Sequence, residues 1–229
     1  MGLQSLMHQN IHISIVNIQF PELHDFIHGE ENNKFSNTMG ESIIVSVKET
    51  EAETCALLQK VCDDGPCAEI LAKEVHREIT HEDIENSTSH DFPTFEIENM
   101  KDMAIWIDPI DATLEYIRGD QKESSLKGVL SNGLICATVL IGVYSQKTGE
   151  PILGIINQPF HTLSNERYTS KIYWEGSTYK WDTCGPHAIL RAMGGGIIQF
   201  APTVSQSMDS EIPNDLCITY NKENKIQTD

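Results

Sequence analysis

The stretch WIDPIDATLEYI, residues 106–117, constrains this chain more than any other segment. It feeds an apolar run into a turn that carries two carboxylates and then opens a helix. Met103 to Ile107 (MAIWI) is short, apolar and rich in β-branched and aromatic side chains, the pattern of a buried strand. Pro109 lacks an N–H and has a fixed φ, which predicts that the strand stops there and the chain turns where Asp108 and Asp111 sit. Ala112, Thr113 and Leu114 then start a helix whose unpaired N–H groups and dipole attract an anion. Donors for a hard cation and a cradle for a phosphate therefore stand side by side. Local chemistry offers a second reading, with Asp111 as a helix N-cap and Asp108 as a turn residue.

Two remote segments carry similar chemistry. In HGEEN, residues 28–32, Glu30 and Glu31 follow a glycine and the apolar pair Phe26 and Ile27. In YKWDTCGPHAILRAMGGG, residues 179–196, Asp182 stands just ahead of a helical pattern in which Ile189, Leu190 and Met193 share a face. Three glycines then close that helix. Each also has a local reading, as an exposed acid pair and as an N-cap.

Together, GEE, WIDPIDAT and WDTCGPHAIL resemble the three-part signature of the magnesium-dependent, lithium-sensitive inositol monophosphatase superfamily. The spacers LICATVLIGVYSQKTGEPILGIINQPF (134–160) and KWDTCGPHAILRAMGGGI (180–197), and more weakly Glu49 to Asp83, are similar to the branch that removes the 1-phosphate from inositol polyphosphates. The resemblance covers residues 20–200. It implies an α/β fold, the layered α+β sandwich of the sugar phosphatases. It also implies a metal site of Glu30, Asp108, the Ile110 carbonyl, Asp111 and Asp182, holding two or more Mg²⁺ ions and inhibited by Li⁺. Oxygen-only ligation of this kind suits magnesium. By the same resemblance Glu30 and Thr113 are catalytic, orienting the attacking water, while the amides of Ala112 and Thr113 bind phosphate and Glu31 is a supporting acid. Ala112 departs from the more usual Ser or Gly, but a main-chain donor does not depend on the side chain. The implied substrates are small inositol polyphosphates, inositol 1,4-bisphosphate and inositol 1,3,4-trisphosphate.

Composition narrows the partners. Against 16 Lys plus Arg stand 34 Asp plus Glu, a formal charge of −18, so no long-range attraction of nucleic acid or polyphosphate is expected. Binding a phosphorylated sugar then requires a local reversal of sign, which a bound cation supplies. No run reaches the roughly 20 apolar residues of a membrane span and no secretory leader is evident, which predicts a cytoplasmic protein with no membrane partner. Met1-Gly2 fails the myristoylation pattern because the serine stands at Ser5, and Asn86-Ser87-Thr88 is a sequon without a secretory context. The six cysteines form no regular framework and are expected to be reduced. Cys62 and Cys67 lack the second pair that a zinc clip needs.

Along the chain, residues 1–20 read as an atypical N-terminal segment, 21–200 as an incomplete inositol-phosphatase-like domain and 201–229 as a poorly ordered tail. Residues 1–10 are expected to fray, and Ile11, Ile13 and Ile15 alternate with His12 and Ser14 as in a strand. Residues 49–62 and 66–77 predict two helices, and 81–95 an exposed loop. Leu134 to Tyr144 and Pro151 to Gln158 predict a hairpin.

Two departures from the family pattern matter. Residues 1–20 show no counterpart of the upstream helices and aspartate, and only Glu175 to Tyr179 joins Trp174 to Lys180 where the family carries much of a second α/β layer. Apolar faces left uncovered forfeit roughly 1.5–3 kcal/mol per large side chain, and Asp182 must cross a rewired connection. Weak or absent turnover is the expectation. Two alternatives stand beside the leading reading: a 3′(2′),5′-bisphosphate nucleotidase of the same superfamily, and a non-catalytic metal-binding or interaction protein that keeps the acidic turn.

Overall fold

The structure, a computed structural model, describes residues 2–36, 39–62, 65–78, 100–119, 122–123, 129–160, 168–169, 179–198 and 217–221. Helix α1 (Gly2–Gln19) opens the chain, followed by a 3-10 turn (Pro21–Phe26) and strand β1 (Ile27–Gly29). A small hairpin, β2 (Lys34–Ser36) and β3 (Ser42–Ile44), leads to helices α2 (Glu51–Leu58) and α3 (Gly65–Val75). Strand β4 (Met103–Asp111) runs into the short helix α4 (Thr113–Arg118), then β5 (Lys122–Glu123), β6 (Val129–Asn132), β7 (Thr138–Ser145), β8 (Pro151–Asn157), β9 (Tyr168–Thr169) and helix α5 (Lys180–Ala192).

The central sheet has the order β1-β4-β7-β8. β1 runs parallel to β4, whereas β4, β7 and β8 are antiparallel neighbours. Alternation sorts the two faces of β4. Ile105 and Ile107 join Leu23, Ile13 and Val16 on the α1 side, and Ala104 joins Tyr144, Cys184 and Tyr220 on the α5 side. Helices thus cover both faces of a mixed sheet, the α/β architecture expected. A separate cluster of Leu3, Leu6 and Met7 with Val45, Leu58, Ala68, Leu71 and Ala72 seats α2 and α3 against α1.

Three expectations need correction. Residues 2–19 are neither frayed nor a strand; they form α1, with Leu3, Leu6 and Met7 buried. The 3–4 spacing of those three residues outweighs the local alternation at Ile11, Ile13 and Ile15, and within the helix Ile13 and Val16 still find the sheet to pack on. Pro109 does not end β4. The strand continues to Asp111, and the ladder to β7 shifts register between Asp108 and Asp111, so the proline sits where no ladder donor is required. Within the tail, residues 217–221 are packed rather than loose: Tyr220 is fully buried and Cys217 bridges Ile198. The loop expected at 81–95 and most of the tail fall outside the described residues. The two helices and the hairpin form as predicted, α2 starting from a Thr50–Glu53 capping box, except that Leu134–Cys136 is a 3-10 turn and the first hairpin strand begins only at Thr138. None of the six cysteines is joined in a disulfide.

Candidate metal centre

The β1–β4 register brings Glu30 to Asp108. Parallel pairing sets Gly29 opposite Ile107, and the Glu30 N–H extends the ladder by donating to the Ile107 carbonyl at 3.1 Å. The next pair along is Glu30 with Asp108, two residues beyond His28 and Trp106 and so on the same face of the sheet as those rings, which lie 4.8 Å apart. Asp111 follows at the far side of the register shift, its carboxylate accepting from the Thr138 hydroxyl at 3.0 Å. Asp108 accepts from the Ile110 N–H at 3.1 Å, and the Thr113 hydroxyl donates to the Ile110 carbonyl at 2.9 Å, so side chains at both ends shape the turn. Ala112 takes the left-handed conformation, φ 64°, and caps the start of α4. It is the only described non-glycine residue with positive φ, and a residue there costs energy that the surrounding bonds must offset.

Helix α5 supplies the third carboxylate. Asp182 lies in its first turn, not ahead of it as the N-cap reading had it: Tyr179 is the cap, and the Asp182 carboxylate accepts from the Tyr179 N–H. Glycines let the helix approach the sheet. Gly185 rests on Gly154 and Gly142, where an added Cβ at Gly154 would lie 1.9 Å from the Gly185 carbonyl oxygen. Aromatic rings complete the contact, with Trp181 5.9 Å from Trp106 and stacked on Tyr179 at 4.6 Å. Asp182 crosses the short connection after all.

Oxygens of Asp108, Asp111 and Asp182 lie within 4.8 Å of one another. Two donors on opposite sides of a magnesium ion stand about 4.2 Å apart, twice a bond of roughly 2.1 Å, so small side-chain adjustments suffice to share an ion. Glu30 borders this group. Burial pushes its carboxyl up to about 7, ahead of a lowering bond to Asp108 and the raising charges of Glu31, Asp182 and Asp111. Asp108 is pushed up to about 10, by burial first and then by the charges of Glu30 and Asp111. Its buried neighbour oxygen, Glu30 Oε2, accepts no hydrogen bond. Like-charged carboxylates forced together without a cation resist ionising, and an unsatisfied buried acceptor costs on the order of 1–3 kcal/mol. Both features fit a divalent cation held by hard oxygen donors.

The remaining predicted residues divide. Glu31 turns toward α1: its N–H and carbonyl bond to the Gln9 side chain, and burial raises its carboxyl, opposed by the Ser5 hydroxyl. Ile110 is buried beneath the turn with its carbonyl on Thr113. Thr138 and Gln9 escaped the sequence reading. The β4–β7 register that pairs Asp111 with Thr138 could have exposed the first; nothing local to Gln9 marks it.

Fold and site together define a protein of the α/β class with an acidic centre fitted to divalent cations at the end of its mixed sheet. Comparison with known proteins makes this specific. The inositol monophosphatase family matches residues 11–172 and 169–225. The chain is 30% identical over 301 aligned positions to inositol polyphosphate 1-phosphatase of Mus musculus, covering 90% of this chain and 73% of that protein. It is 29% identical to the Homo sapiens protein of the same name over 90% and 73% of the two chains, and 40% identical to that of Bos taurus over 84% of this chain but 44% of the relative. A shorter match, 39% identical over 27% of this chain and 15% of the relative, is to 3′(2′),5′-bisphosphate nucleotidase 1 of Rattus norvegicus.

The chain belongs to the inositol monophosphatase family, and it is a phosphatase by that membership. An alignment of 301 positions exceeds the 229 residues present, so the Mus musculus protein has stretches without a counterpart here. The family match itself divides near residues 169–172, close to the short bridge before Lys180.

Proposed function

We propose that this chain is a magnesium-dependent phosphomonoesterase that removes the 1-phosphate from inositol polyphosphates, with inositol 1,4-bisphosphate and inositol 1,3,4-trisphosphate as substrates. The observation that carries the proposal is the meeting of Asp108, Asp111 and Asp182 within 4.8 Å, bordered by a Glu30 oxygen that lacks a hydrogen-bond donor. Phosphate monoesters hydrolyse very slowly unaided, because negative charge spreads over the equatorial oxygens while water aligns opposite the leaving alkoxide. Magnesium bound by these acids supplies positive charge at that oxygen array and favours ionisation of the attacking water.

The chain's own residues account for the rest. Glu30, beside Asp108, is the acid placed to orient the attacking water. Thr113 commits its only hydroxyl proton to the Ile110 carbonyl, so its oxygen faces the water as an acceptor and orients it. The amides of Ala112 and Thr113, at the strained entry to α4, donate to phosphate oxygens. Inhibition by lithium and a cytoplasmic setting belong to the same reading. Among the described residues no helix is long and apolar enough to cross a membrane.

Turnover is expected to be slow, since Ile152, Ile155 and Ile156 on the edge strand β8 remain about half exposed. The deciding experiment measures Mg²⁺-dependent phosphate release from inositol 1,4-bisphosphate and from 3′,5′-adenosine bisphosphate. Lithium-inhibited release from the inositol substrate alone supports the proposal, and fast turnover refutes only the expectation of slowness. Preference for the nucleotide selects the nucleotidase reading. Magnesium binding with no release from either selects a non-catalytic protein.

A further inference from the structure

The turn that carries Glu30 is held from outside the sheet. Glu30 itself bonds to β4 through its N–H, but among the described residues no strand pairs with Glu31. Gln9, on α1, takes that role: its Oε1 accepts from the Glu31 N–H at 2.9 Å, and its Nε2 donates to the Glu31 carbonyl at 3.0 Å. A side-chain amide has one donor and one acceptor in a plane, so it can satisfy a peptide as a neighbouring strand would. Gln9 is 5% exposed, and the bond pair is partly buried. Gly29 makes room for it, because a Cβ there would lie 2.0 Å from Gln9 Oε1.

We infer that Gln9 is a positioning residue for the metal centre, clamping the Gly29-Glu30-Glu31 turn so that the Glu30 carboxylate stays beside Asp108. Two anchors, one on each side, hold the Glu30 main chain: the Ile107 carbonyl before it and the Gln9 amide after it. Without the second, the turn pivots about the first and the carboxylate leaves the cation. The inference rests on the metal reading proposed above.

The test uses the full chain and inorganic Mg²⁺ as the probe, titrated by calorimetry, with the metal-free thermal midpoint recorded for each variant. Gln9→Met keeps the volume and removes both bonds. Gly29→Ala keeps Gln9 but displaces its amide. Leu6→Val loosens the packing of the same helix without touching the turn. The expected result is a loss of Mg²⁺ affinity of about 10–100-fold in both Gln9→Met and Gly29→Ala, the range typical of residues that orient metal ligands. Leu6→Val should lower the midpoint and leave affinity unchanged. Folded Gln9→Met with wild-type affinity overturns the inference; if that variant does not fold, Gly29→Ala decides by the same criterion. A wild-type chain that takes up no Mg²⁺ overturns the metal reading, and this inference with it.

Discussion

Under the proposed metal reading, the acids at the centre of this protein should make cation binding and stability opposite functions of pH. Folding raises the carboxyl of Glu30 from 4.5 to about 7 and that of Asp108 from 3.8 to about 10. The metal-free native state therefore binds more protons than the unfolded chain between those limits, and its stability falls as pH rises through them. Thermal melts without divalent ions should show a midpoint that declines from pH 5 to pH 8, while stabilisation by added Mg²⁺ grows over the same range as protons are displaced. Asp108→Asn should flatten the metal-free decline and lose at least about a hundredfold in Mg²⁺ affinity, beyond the 10–100-fold that typically follows loss of a supporting residue. Thr138→Val should fall inside that supporting range, since the Thr138 hydroxyl orients Asp111 without belonging to the acid group. Both are read by calorimetry. Asp108 and Asp111 were legible because composition changes abruptly there, from an apolar run to acids and a proline. Gln9 was not, because its importance comes from a contact 22 residues away in sequence.

Among the elements, α5 depends most on small residues. Its approach to β7 and β8 is set by Gly142, Gly154 and Gly185, where backbone meets backbone. Gly154→Ala must push the helix outward, costing about 1–3 kcal/mol as overpacking commonly does; urea unfolding measures the loss. The displacement also carries Asp182 away, so Mg²⁺ affinity should fall in the same variant. Helix α5 was readable from the spacing of its apolar residues and its closing glycines. Its first turn was misjudged because an Asp before an apolar pattern suits either the cap or the third helical position, and here Tyr179 supplies the cap. Helix α1 was missed for a different reason: Ile11, Ile13 and Ile15 alternate as strand residues do, and only the packing of Leu3, Leu6 and Met7 on α2 and α3 decides for a helix.

For the whole molecule, the chain's late segment matters to its middle. Residues 217–221 cross from the β7–β8 hairpin to α5: the Tyr220 N–H donates to the Gly149 carbonyl, the Trp106 indole donates to the Tyr220 carbonyl, and Lys180 donates to the Asn221 carbonyl. The Tyr220 hydroxyl meets His187 at 3.0 Å. Deleting residues 217–229 should cost about 3–5 kcal/mol, the range for removing a buried aromatic. The midpoint should fall by roughly 2–4 °C per kcal/mol for a chain of this size, as differential scanning calorimetry would record. A tail judged by composition alone hides this, since five packed residues are diluted by polar neighbours.

The pairing of β1 with β4 spans only three residues on each side, yet it decides which face of the sheet receives Glu30. Side chains alternate along a strand, so a slip of one position would send that acid to the α1 side and leave every helix and strand intact. Such a misfolded molecule would give a native circular dichroism spectrum and still be blind to magnesium. Under the proposed metal reading, ion uptake would thus be a stricter criterion of correct folding than secondary-structure content.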